Sequence, residues 1–205
     1  FNMNPQEYGE GHTAAASVAE VHKVLKLMDM DDAYPVVSGA EYPLQDETTP
    51  RQSDGVKMII EEAMKDDPHP LFIACQGAIT DLASAILMEP KICERMTAIW
   101  IGGGMYPEGG FEFNCKQDIA AANVVMKSTM PVWQVPKNVY EMMPVSMAEL
   151  EYRVRPQGAV GRYLFDQLVA YSQTPESRAA LKKFMREAKQ VVSTPEARNA
   201  RKNLK

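Results

Sequence analysis

Apolar residues along the chain fall into two patterns. Short runs rich in β-branched and aromatic residues occupy 33–40 (AYPVVSGA), 70–78 (PLFIACQGA), 96–104 (MTAIWIGGG) and 130–136 (MPVWQVP). The middle two are apolar almost throughout, which predicts parallel strands covered on both faces. Between the runs, apolar residues recur at helical spacing: Val18, Val21, Leu25 and Met28 form one stripe. Val56, Ile59, Ile60, Ala63 and Met64 form another, with Asp54 as its expected N-cap. Thr80 or Asp81 is the expected cap of a helix through Leu82, Ala85 and Ile86, and a further helix is expected from about Asp118 over IAAANVVMKS. Strand and helix in alternation predict an α/β fold, an open and mainly parallel sheet with Rossmann-like right-handed crossovers.

After Pro144 only helical spacing remains, in SMAELEYRV, AVGRYLFDQLVAYS and ESRAALKKFMREAKQVV. The closing STPEARNARKNLK has Thr194 and Pro195 as a cap and first turn but little to bury, and reads as a solvated tail. The expectation is one α/β domain over 1–205, with a sheet part at 1–143 and a helical part at 144–205.

Charge and cysteine usage narrow the function. With 22 basic and 27 acidic residues the net charge is −5, and no basic stripe occurs, so nucleic acid and anionic membrane surfaces are excluded as main partners. Cys75, Cys93 and Cys115 show no CxxC spacing and read as reduced thiols of a cytoplasmic protein. No apolar run is long enough to span a membrane. The opening FNMNPQEYGEGH lacks an initiator methionine, which suggests a chain that starts within a longer protein. His12, His22 and His69 are expected on helix faces or the surface.

Ligands of open parallel sheets collect at the carboxyl ends of the strands. Three segments lie there: GAEYPLQDE, QGAITD and GGGMYPEGGFEFN. In the last, the two-residue spacing of Glu112 and Asn114 points both to one face of an extended segment, with Phe113 on the other. The pair suits a hydroxyl-rich ligand, because a carboxylate accepts hydrogen bonds and an amide both donates and accepts. It also suits a structural role, with Glu112 at a strand edge or beside Lys116, Asn114 in a turn, and Thr80 as a helix cap. Gly102–Gly104 are not followed by a G-x-G-x-x-G or G-K-[ST] pattern, so dinucleotide and triphosphate binding are set aside.

The succession QGAITDLASAIL, IWIGGG, GGFEFN, DIAAANVV and PVWQVP resembles the inosine–uridine-preferring nucleoside hydrolase family. That family carries G-P-L-T-N-L-A, M-G-G, and E-F-N followed by D-P-x-A-A. The resemblance runs from about Val18 to about Leu168. It implies a calcium-assisted enzyme that splits the N-glycosidic bond of ribonucleosides with water, and a homo-oligomer, dimer or tetramer. By motif it implies Glu112 and Asn114 on sugar hydroxyls, Phe113 and Ile101 at the pocket wall, and Asn2 as a further sugar contact. The Thr80 backbone carbonyl would be one calcium ligand.

The family's aspartate cluster and its later His-Asp pair have no counterpart here. DMDDA at 29–33 is rejected because it ends a helix and precedes an expected strand, so the catalytic base is unassigned and the domain reads as incomplete at both ends. The alternative functional reading is a non-catalytic sugar-binding or oligomeric partner that has lost the metal, and a third is a fragment without independent function.

Overall fold

Three apolar runs pair into a parallel sheet: β1 (Leu71–Cys75), β2 (Met96–Ile101) and β3 (Val132–Val135), in the order β1-β2-β3. Ile73 lies opposite Ala98, and Ala98 opposite Val132. The computed structural model describes residues 11–175, 177–179, 182 and 186. Two helices precede the sheet, α1 (Thr13–Leu27) and α2 (Asp54–Ala63). The β1–β2 crossover runs through α3 (Thr80–Met88) and a 3-10 turn at Pro90–Glu94. The β2–β3 crossover runs through α4 (Phe113–Gln117) and α5 (Ile119–Lys127), and α6 (Lys137–Tyr140) follows β3. The alternating α/β reading is therefore correct.

The chain divides into two compact units, Phe1–Pro144 and Val145–Lys205. The second contains α7 (Met147–Arg153) and α8 (Gly158–Ser172). Ser146 caps α7 by accepting from the Glu149 amide at 3.1 Å. Most of the expected third helix, and the tail with Thr194 and Pro195, lie outside the described residues.

Met96, Ala98 and Trp100 are buried, and form a core with Val56, Ile79, Leu82, Ile92, Ala121 and Val125. Each methylene removed from water in such a core contributes about 0.8 kcal/mol. The alternate residues tell a different story. Phe72 is 46% exposed and Trp133 59% exposed, with ring centroids 5.4 Å apart. The expectation that both faces are buried is thus corrected: the continuous apolar run of β1 buries Leu71, Ile73 and Cys75 partly and leaves Phe72 and Ala74 exposed.

The run at 33–40 is not a strand. Residues 33–34 form a turn and bend and 35–40 are irregular. Their backbone groups bond elsewhere: Ser38 O accepts from Gly55 N at 2.9 Å, and Ala40 N donates to the Asp81 carboxylate at 3.0 Å. Pro35 also has no amide hydrogen to give a ladder.

Two caps differ from expectation. Ser53, not Asp54, caps α2, accepting from Val56 N at 3.0 Å, while Asp54 pairs with Lys57. Ile79 is the N-cap residue of α3 and makes no side-chain cap bond. Thr80 and Asp81 occupy its first two positions and direct their side chains to other segments. The capping role expected of Asp118 on α5 holds, with Ala121 N at 2.8 Å.

The carboxyl end of β2 is closely fitted. Trp100 donates from its indole N–H to Gly77 O at 3.1 Å, and a Cβ on Gly102 would lie 2.2 Å from the same ring. Gly102→Ala is expected to destabilise the protein by about 2 kcal/mol through this overlap. Urea unfolding followed by tryptophan fluorescence measures it. An unchanged midpoint would show that the ring yields freely.

Candidate active site

Glu112 stands at the start of α4 with extended backbone angles, φ −139° and ψ 143°, and is 3% exposed. Its Oε2 accepts from Gly103 N at 2.8 Å and Cys115 N at 2.9 Å. Its Oε1 accepts from Asn114 N at 3.1 Å and from the Tyr140 hydroxyl at 3.0 Å. Burial alone would raise its pKa, but these hydrogen bonds outweigh burial and hold the carboxyl below the ordinary glutamate value. Burial and the Glu112 carboxylate together push the Tyr140 phenol up to about 12.

The segment 112–114 is not extended throughout. Phe113 and Asn114 already belong to α4, because Glu112 caps that helix and turns the chain into it. Asn114 donates from Nδ2 to the Ile101 carbonyl at 2.8 Å, and among the described residues its Oδ1 accepts no hydrogen bond. Phe113 is 55% exposed and Ile101, the last residue of β2, is half-buried. Lys116 does not pair with Glu112; its ammonium lies 5.4 Å from the centre of the Phe111 ring. The structure therefore brings Ile101, Glu112 and Asn114 together. Asn2 lies outside the described residues.

The glycine-rich loop is held from behind. Gly103 has φ +78°, and a Cβ there would meet Gln134 Nε2 at 2.4 Å. Gln134 donates to Gly102 O at 2.9 Å, and Lys137 N donates to Gly103 O at 3.0 Å. Gln134 and Tyr140, both from the β3 side, are residues that sequence reasoning missed, since neither stands in a local motif with the loop it supports.

Thr80 is 6% exposed and donates from Oγ1 to Asp118 Oδ2 at 2.6 Å. The same Asp118 oxygen accepts from Leu44 N at 2.8 Å. Because Asp118 also ends α4, Thr80 is connected to the Glu112 helix through one carboxylate. Thr80 and Asp81 line a cavity of about 400 Å³ with Gln76, Cys75 and Val36, whose walls do not include Glu112 or Asn114. Burial, and then the nearby Asp81 charge, push the Cys75 thiol up to about 12, which makes it a poor nucleophile.

Calcium takes six to eight oxygen ligands, carboxylates prominent among them. The carboxylates next to Thr80 are engaged already: Asp81 accepts from Ala40 N and from Ser53 Oγ at 2.6 Å, and Asp118 from three protein donors. Among the described residues no group of three His, Cys, Asp or Glu side chains is placed to hold a metal ion. These residues by themselves do not fit a calcium site.

Glu112→Gln keeps the shape but not the acceptors. Each carboxylate oxygen takes at least one backbone amide, so the new NH₂ must face an N–H in either orientation. A loss of about 2 kcal/mol in urea unfolding is expected. Because the folded-state pKa is lowered, the native carboxylate's contribution is complete above the ordinary value of 4.5 and is lost as pH falls through the lower folded value. The stability gap between native protein and variant should therefore narrow only in acid. A gap constant down to that range would contradict the assignment.

A sequence profile of the inosine-uridine preferring nucleoside hydrolases matches residues 9–194. An inosine-uridine preferring nucleoside hydrolase of Crithidia fasciculata is 31% identical over 98 residues, covering 46% of this chain and 30% of that protein. The Leishmania major protein of the same name is 28% identical over 103 residues, covering 48% of this chain and 33% of its own length. The alignments thus span about a third of these curated relatives. Among solved structures, an inosine-guanosine nucleoside hydrolase superposes with a TM-score of 0.63 at 22% identity, over 82% of this chain and 66% of that one, a likeness of fold. With a profile match over most of its residues, the expected parallel sheet and the E-F-N residues at the start of α4, the chain belongs to the inosine-uridine preferring nucleoside hydrolase family.

Proposed function

We propose that the whole protein hydrolyses the N-glycosidic bond of ribonucleosides, purine or pyrimidine, to ribose and free base. The observation that carries this reading is the E-F-N turn at the start of α4, where Asn114 and Glu112 are fixed by short hydrogen bonds within a chain of this family. Asn114 Oδ1, which accepts no hydrogen bond among the described residues, is proposed to accept from a ribose hydroxyl, with Glu112 as a second acceptor. Phe113 and Ile101 are proposed as pocket wall, and Asn2 as a further sugar contact.

The reaction forms a bond from a water oxygen to the anomeric carbon and breaks the bond from that carbon to the base nitrogen. The bonding pair leaves with the base, which takes up a proton at a nitrogen. The sugar passes through an oxocarbenium-like state, and a carboxylate held ionised nearby favours that positive charge. Hydroxyls clamped by two fixed side chains hold the anomeric carbon in one attitude toward attack. The base that activates water is not assigned to a residue. Calcium is the proposed cofactor of the whole protein, and the described residues would contribute the Thr80 carbonyl alone.

The same reading makes the protein a cytoplasmic homo-oligomer acting on a small nucleoside or N-riboside. Free cysteines support the compartment, and no described helix is long and apolar enough to cross a membrane. A second reading, a sugar-binding protein without catalysis, is favoured by the saturation of Glu112 by protein donors.

Ribose release from inosine, guanosine, uridine and cytidine separates the two. Hydrolysis is expected to fall on removal of calcium by a chelator, and Asn114→Ala is expected to lower kcat/KM about 100-fold. Ribose binding without release of base, with or without calcium, would instead establish the second reading.

A further inference from the structure

Glu112 has about four lone-pair positions to offer, and four protein donors fill them. Three of these donors cannot leave. Asn114 N and Cys115 N are amides of the first turn of α4. Gly103 N belongs to a loop clamped on both sides, by Gly102 N to Val135 O at 3.2 Å and by Lys137 N to Gly103 O at 3.0 Å. The fourth donor is a side chain. Tyr140 is half-buried at the end of α6, one helical turn, and the residues after it are open to solvent, Met142 at 78% and Met143 at 79%. Its hydroxyl can rotate away and find water in exchange, which no backbone amide of the set can do.

We propose that Tyr140 is the exchangeable partner of Glu112, and that a ribose hydroxyl binds by taking the Oε1 position that the Tyr140 hydroxyl occupies at 3.0 Å. This rests on the ribose reading of Glu112 above. The free protein keeps its buried carboxylate satisfied, so the site needs no ordered ligand to remain intact. The sugar then meets a competitor of its own chemical kind, a hydroxyl on the same oxygen. Tyr140 sets which ligands succeed: only a hydroxyl that reaches Oε1 repays the bond that is broken. A sugar without that hydroxyl would leave Tyr140 in place.

The test is calorimetric titration of the full-length protein and of Tyr140→Phe with D-ribose and with its 2-, 3- and 5-deoxy forms. Phenylalanine keeps the ring and removes the competing donor. The variant is expected to bind ribose roughly three- to tenfold more tightly, the worth of one exchanged hydrogen bond. The gain should vanish for the one deoxy sugar that lacks the hydroxyl concerned. Tyr140→Met, apolar and also without a hydroxyl, should behave the same way and guards against a packing defect peculiar to one variant. Equal or weaker ribose binding by both variants overturns the proposal, as does a gain that persists with every deoxy sugar, or no ribose binding by any of the three proteins. Nucleoside hydrolysis by the unaltered protein is read separately: its absence with the Tyr140 effect intact removes the ribohydrolase reading alone, and its presence without the effect removes the Tyr140 proposal alone.

Discussion

A carboxylate taken out of water must find donors or give up its charge, and the loops around this sheet are built on that requirement. Asp118 is 3% exposed and joins three parts of the chain: Leu44, Thr80 and the first turn of α5. Asp81 joins Ala40 to Ser53 in the same manner. Glu41 receives Ala14 N at 2.9 Å and Ala15 N at 3.1 Å at the head of α1. Segments 35–53 have no strand ladder to hold them, and these carboxylates supply the acceptors that a ladder would.

Glu112 is the member of this set to which the proposed function assigns a role. By capping α4 and gripping Gly103 it fixes the distance between the glycine-rich loop and the helix that carries Asn114. The rigidity that orients Asn114 comes from the same group that is proposed to contact ribose. A preorganised site is usually built from fixed backbone and supporting side chains. Here the support comes from β3 through Gln134, and from α6 through Tyr140. Backbone amides supply three of the four donors to Glu112, and the one hydroxyl is the donor proposed to exchange.

The sheet presents a second feature of the same logic. Trp100, Ala98 and Met96 are buried on one face, while Phe72 and Trp133 meet on the other and stay exposed. Burial of the first face sets the register of β2 against its neighbours, since a slip by one residue would turn Trp100 outward. That register places Ile101 and Gly102 at the strand's end, where the Ile101 carbonyl receives Asn114.

Local pattern was enough to locate β1, β2 and β3, the stripe of α2 and the start of α5 at Asp118, because each follows from side-chain period and from a cap bonded a few residues away. The E-F-N turn was visible as a polar pair among aromatics, and its family resemblance was carried by short runs that need no tertiary contact. The partners of those polar groups were a different matter. Nothing near Asp118 points to Leu44, 74 residues earlier, and nothing near Glu112 points to Tyr140, 28 residues later. The segment 33–40 looked like a strand because its residues suit one, yet its Ser38 carbonyl accepts from α2 and its Ala40 amide donates to Asp81. Sequence determined which segments bury apolar area and with what period. Tertiary structure decided which donor meets which acceptor, because a hydrogen bond between distant residues depends on packed geometry that no local pattern contains.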